Sequence, residues 1–105
     1  MSRSSEETLV CQIIDEHATL TLGELCRSCG VPAEWVARLV EEGVLEPTPE
    51  SPSTRWEFSV HYLPRVHRAA RLEHDLGLNM SGIALTLELM DEIRSLRRRL
   101  DALDR

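Results

Sequence analysis

The stretch TLGELCRSCGVPAEWVARLVEEGVLEP, residues 21–47, decides the fold. Thr21 is placed to cap a helix over Leu22 to Ser28. Glu24, three residues on, completes a capping box, and Gly30 supplies the stop after Cys29. Val31-Pro32 then opens a second helix. Pro32 fits its first turn, where a missing N–H is harmless, and the helix runs through Glu42 to Gly43. Two short helices around a glycine turn form a helix-turn-helix.

Outward from this core, Thr8 to Ile14 (TLVCQII) is β-branched and apolar, which predicts a short strand. After Gly43, Val44-Leu45-Glu46 and Thr54 to Phe58 are two extended pieces around a polar, proline-rich loop, the pattern of a β-hairpin wing. Ser59 to Leu76 reads as a helix with Leu63, Val66, Ala69, Ala70 and Leu76 on one broad face and Pro64 in its first turn. Gly77 ends it. Asn79 is placed to cap a last, long helix reaching Asp101 to Leu103. One line of this helix is Ile83, Leu87 and Met90, and a second is Leu89, Ile93, Leu96, Leu100 and Leu103. The second line steps by four and three, the spacing of a heptad seam, so these five residues are the candidate dimerisation surface. The alternative is that the line packs against its own chain.

The chain of 105 residues is expected to be one domain with a modest core, the helix-turn-helix and wing over 1–58 and a helical part over 59–105. That size excludes barrels, doubly wound dinucleotide folds and two-domain enzymes. No apolar run approaches the roughly 20 residues of a membrane helix, and the polar start lacks a signal core, which predicts a cytoplasmic protein. Three cysteines suit a reducing compartment better than a disulfide framework.

Charge is unevenly placed. Residues 1–52 hold ten acids and three arginines, a formal −7, whereas residues 53–105 hold eight acids and nine arginines, a formal +1, and there is no lysine. A module that neutralises DNA phosphates is expected to carry a basic stripe. The first half is the reverse of that.

The order of parts, with the strings Thr21-Leu-Gly-Glu24-Leu25…Gly30-Val31 and Glu42-Gly-Val-Leu-Glu46-Pro47, resembles the MerR-type winged-helix family. The run Arg68-Ala-Ala-Arg-Leu72-Glu-His-Asp75-Leu-Gly-Leu78…Gly82-Ile-Ala-Leu-Thr-Leu87-Glu-Leu-Met-Asp91-Glu-Ile93 is similar to its chaperone-modulator branch, the CbpM family. The resemblance implies a mainly α winged helix-turn-helix with a small β wing and two further helices. It also implies a bacterial, non-catalytic regulator that binds the J-domain of a CbpA-type, DnaJ-like co-chaperone and inhibits it. The alternative is a MerR-type DNA-binding transcriptional regulator. In such proteins the second helix carries an Arg-x-x-Arg-Tyr-Tyr pattern into the major groove. Aligned on Gly43, those positions fall here at Glu34, Ala37, Arg38 and Leu39, and the wing arginine falls at Trp56, with Arg55 beside it. A carboxylate replacing an arginine is repelled by phosphate, which argues against direct DNA binding.

J-domains as a family carry a basic second helix, so acids are the expected contacts. Within the family string these are Glu73, Asp75, Asp91 and Glu92, with His74 beside them. Glu34, Glu41 and Glu42 form a second patch. Trp56, in the wing, is the aromatic anchor expected to meet the partner, whereas Trp35, beside Val36 and Leu39, reads as core. His67 and Arg71 read as a solvated face. Cys26-Arg-Ser-Cys29 has the CxxC spacing of redox and zinc sites but no second ligand pair in sequence, so both read as small core residues, and no metal or cofactor is expected. No phosphate loop, nucleophile motif or metal signature points to an enzyme.

Overall fold

The computed structural model describes residues 18–104. The predicted strand over Thr8 to Ile14 lies outside the described residues. Within them the order is β1 (Thr19–Thr21), α1 (Leu22–Cys29), α2 (Ala33–Glu41), β2 (Glu57–Ser59), a 3₁₀ turn (Val60–Tyr62), α3 (Leu63–Leu76) and α4 (Met80–Leu103).

The caps behave as the sequence predicts. Thr21 Oγ1 accepts from the Glu24 amide at 3.1 Å, and Glu24 Oε1 accepts from the Thr21 amide at 2.9 Å. The two bonds satisfy two of the amides that α1 leaves unpaired at its start. Gly30 closes α1 in the left-handed region at φ 67°, and Asn79 caps α4 through the Gly82 amide at 2.8 Å. Pro32 is itself the N-cap of α2, one position earlier than predicted, and Glu42 is the C-cap.

The wing departs from the predicted hairpin. β2 pairs antiparallel with β1, Leu20 opposite Phe58, and Val44-Leu45-Glu46 is not a strand. The reason lies in the backbone groups of that stretch. The Val44 amide donates to the Leu39 carbonyl at 2.9 Å, the Val44 carbonyl accepts from Arg65 Nε at 3.1 Å, and the Glu46 amide donates to Tyr62 Oη at 3.3 Å. Groups spent in this way cannot serve a ladder. Val44 and Leu45 are also both buried, whereas adjacent residues of a strand face opposite sides. The loop from Thr48 to Arg55 is held by local turns and by the Thr48 amide on the Glu57 carbonyl at 2.8 Å.

The third helix also starts later than predicted. Ser59 belongs to β2 and its hydroxyl accepts from the His61 amide at 3.2 Å, which starts the 3₁₀ turn, and α3 begins at Leu63 with Pro64 in its first turn.

Leu20, Phe58 and Val60 from the sheet side, Leu25 from α1, Val36 and Leu39 from α2, Val66 and Ala69 from α3, and Ile83 and Leu87 from α4 make one core. No polar or charged residue is buried among the described residues. Leu76, expected on the core face of α3, is 67% exposed at the last position of that helix. Met90 is half-buried against the core.

Candidate functional site

Two polar contacts set how the helices present their charges. Trp35 is buried, as its place beside Val36 and Leu39 suggests, and its Nε1 donates to Glu73 Oε2 at 3.0 Å. The first turn of α2 is thereby tied to the last turns of α3. At the opposite end Arg65, in the first turn of α3, donates through Nε to the Val44 carbonyl at 3.1 Å and through Nη1 to Asp91 Oδ2 at 2.9 Å. One guanidinium joins the segment after α2 to the middle of α4. α2 and α3 therefore run antiparallel, with Glu34 near the Glu73 end and Glu42 near the Asp91 end.

The nominated acids divide into two kinds. Glu73 holds the Trp35 indole, Asp91 holds Arg65, and Asp75 accepts from His74 Nδ1 at 3.0 Å with Arg71 Nε at 3.7 Å. The bond from His74, with the charge of Arg71, holds the Asp75 carboxyl below its ordinary range. By contrast Glu34, Glu41, Glu42 and Glu92 are exposed and have no hydrogen-bonding or ionic side-chain partner among the described residues. Glu34 and Glu41 are two turns apart on α2, about 10 Å along its axis. Three of these four acids lie on and just after the second helix of the helix-turn-helix, while α4 and its C-cap carry Glu92 together with Glu88, Asp101 and Asp104, which are likewise exposed and without a side-chain partner among the described residues.

Trp56 is half-buried. Its ring meets Phe58 edge-on at 6.1 Å and packs against the core, and its carbonyl accepts from the Leu22 amide at 3.3 Å. Part of the ring remains open beside Arg55 and Thr54.

The five residues of the heptad line are exposed: Leu89 54%, Ile93 50%, Leu96 45%, Leu100 61% and Leu103 81%. Among the described residues none of the five belongs to the core or packs against it. Leu85, 58% exposed and four residues before Leu89, extends the line by a turn, a member that a search for strict heptad steps passes over. Every residue from Leu96 to Asp104 is exposed, and the helix beyond Asp91 projects about 18 Å.

Cys26 and Cys29 are free and half-buried, and burial pushes Cys29 up to about 11 and Cys26 upward as well. Such thiols are protonated and inert near neutral pH. Among the described residues there is no group of three or more His, Cys, Asp or Glu arranged to hold a metal ion. No helix among them is long and apolar enough to cross a membrane.

Arg65 is a positioning residue with no signal in the sequence. Nothing local marks it, because its partners are 21 and 26 residues away.

Comparison with known proteins places this geometry. The family model described as MerR HTH family regulatory protein matches residues 20–105. The chaperone modulatory protein CbpM of Pseudomonas entomophila (strain L48) is 37% identical over 78 residues, 74% of this chain and 76% of the relative. The protein of that name from Coxiella burnetii (strain Dugway 5J108-111) is 38% identical over 93 residues, 89% of this chain and 87% of its own. That of Escherichia coli O1:K1 / APEC is 42% identical over 79 residues, 75% and 77%.

Proposed function

This chain belongs to the CbpM family of chaperone modulators within the MerR-type helix-turn-helix proteins, and on that premise we propose that it binds the J-domain of a CbpA-type co-chaperone and inhibits it in the bacterial cytoplasm. The supporting observation is the set of unpaired carboxylates on and after α2, Glu34, Glu41 and Glu42. In a DNA-reading relative the second helix meets phosphate and needs cations. Here it presents free anions, which repel a duplex and attract a basic protein helix. Steering by those acids sets partner choice and association rate, and the half-buried Trp56 supplies apolar contact. Role follows from the site rather than from the scaffold, and the surface that fits a J-domain is poorly suited to DNA.

Within this reading Glu73, Asp75 and Asp91 are positioning residues first, since each already has a partner in its own chain. His74 orients Asp75, and Glu92 joins the unpaired set. No catalytic step is assigned to the protein.

The projecting, heptad-spaced leucines support a homodimer through α4. An exposed stripe of six aliphatic side chains from Leu85 to Leu103, uncovered by any other described residue, is the kind of surface that a second copy buries.

The experiment is a comparison of charge-reversed variants. Glu34→Arg and Glu42→Arg are each expected to weaken J-domain binding about tenfold while leaving the fold intact, a loss of roughly 1.4 kcal/mol. Unchanged affinity in both variants would remove the carboxylates of α2 from the interface.

A further inference from the structure

On the outer side of α3 the chemistry reverses sign. A cleft of about 470 Å³ opens where the 3₁₀ turn, the start of α3 and the middle of α4 meet, and its lining includes His61, Tyr62, Arg65, Arg68 and Arg94. Among the described residues no carboxylate lines it. Tyr62 Oη accepts from the Glu46 amide, which leaves the phenolic proton to donate outward. Arg65 is fixed by Val44 and Asp91, but Arg68 and Arg94 have no carboxylate partner among the described residues.

The cleft continues along the helix. A shallower groove of about 620 Å³ shares Pro64 and Arg68 with it and runs past His67 and Arg71 to Leu72 and Leu76. Leu76 is the residue that was expected in the core and is instead 67% exposed, so its side chain forms an open apolar shelf. The one acid among the described residues that line this second groove, Asp75, is engaged by His74 and Arg71.

We propose that the outer face of α3 is a docking groove for an acidic, amphipathic peptide segment of a partner protein, separate from the acid face on α2. Arginine pairs with carboxylates in bidentate fashion, and two arginines without a carboxylate partner, about a cleft that no acid among the described residues lines, select for anions. The combined groove follows α3 from Pro64 to Leu76, about 18 Å, which is longer than a small ligand and suits several turns of helix or a short extended segment. Leu72 and Leu76 decide between polyanions. Phosphate backbones need cations alone, whereas a polypeptide with alternating apolar and acidic side chains fills both the shelf and the arginine end. Opposite signs on two faces of one domain also keep the two partners from exchanging places, since each is repelled by the wrong face.

The test uses the full chain and three labelled probes: a synthetic peptide of about fifteen residues with Glu and Leu at helical spacing, the same peptide with Ser for Leu, and a duplex DNA of about twenty base pairs. The Glu/Leu peptide is expected to bind saturably, with amide shifts at Arg68, Leu72 and Arg94. The Ser version is expected to bind about tenfold more weakly and the duplex more weakly still. Arg68→Glu and Arg94→Glu are each expected to reduce peptide binding about tenfold while circular dichroism and J-domain affinity stay unchanged. Absence of peptide binding, peptide binding that Arg68→Glu and Arg94→Glu leave intact, or tighter binding of the duplex would each overturn the proposal. Loss of J-domain affinity in Arg68→Glu would overturn it as well, by assigning the groove to the J-domain. J-domain binding to the unaltered chain is scored separately, so failure of the groove and failure of the J-domain reading are read from different titrations.

Discussion

Trp35 Nε1 donates to Glu73 Oε2 at 3.0 Å across 38 residues of sequence, and this contact ties the start of α2 to the end of α3. Trp35 is only 7% exposed, so the indole has few other partners for its N–H. Glu73→Ala is expected to lower stability by about 1 kcal/mol, seen as a fall of roughly 4 °C in Tm. Glu73→Gln keeps an acceptor oxygen and is expected to recover most of that loss. J-domain affinity unchanged in Glu73→Gln would mark Glu73 as a positioning residue, and a marked drop would make its charge part of the interface.

Arg65 is the corresponding clamp at the other end. Arg65→Ala removes the partner of both the Val44 carbonyl and Asp91. The expected cost is about 1–2 kcal/mol in urea unfolding, larger than for Asp91→Asn, because only the arginine change leaves a partly buried backbone carbonyl unpaired. Equal losses in the two variants would contradict the double role of the guanidinium.

How legible these features are from sequence depends on how local their causes are. The capping box of Thr21 and Glu24, the stop at Gly30 and the cap at Asn79 each rest on contacts within four residues, and all three are readable along the chain. The wing is not. Nothing near Glu57 to Ser59 says that its partner is Thr19 to Thr21 rather than Val44 to Glu46, because pairing depends on which backbone groups remain after Leu39, Arg65 and Tyr62 have taken theirs. The same holds for the site. The acids and their exposure follow from helical spacing, but the division into engaged (Glu73, Asp91) and unpaired (Glu34, Glu42) is tertiary. Leu76 shows the limit of periodicity, since it lies on the expected face but one turn beyond the elements that cover that face.

The thiols offer a pH test with a definite sign. Burial raises Cys29 from about 9.0 to about 11, so the unfolded chain loses this proton first as pH rises. Stability from Cys29 is therefore complete below about pH 9 and is lost progressively toward pH 11. Urea midpoints at pH 7.5, 9 and 10.5 (roughly spaced across that window) are expected to fall more steeply in the unaltered chain than in Cys29→Ala. Parallel slopes would show that other groups govern the alkaline limb.

The exposed line from Leu89 to Leu103 gives an oligomeric prediction. Sedimentation is expected to report a dimer for the full chain and a monomer for a chain ending at Ser95, with the melting of the remaining domain little changed because every residue from Leu96 to Asp104 is exposed. Ile93→Glu, which keeps the length, is expected to do the same. A dimer that survives both changes would place the interface elsewhere.

Titration of this protein with an isolated CbpA-type J-domain at roughly 0.05 and 0.3 M salt tests whether the acid face built around α2 recognises a basic J-domain. Saturable binding is predicted at low salt, weakened about tenfold at high salt, with the weakening reduced in Glu42→Arg. Absence of J-domain binding at both salt concentrations, with saturable and salt-dependent binding to duplex DNA in its place, would rule that recognition out.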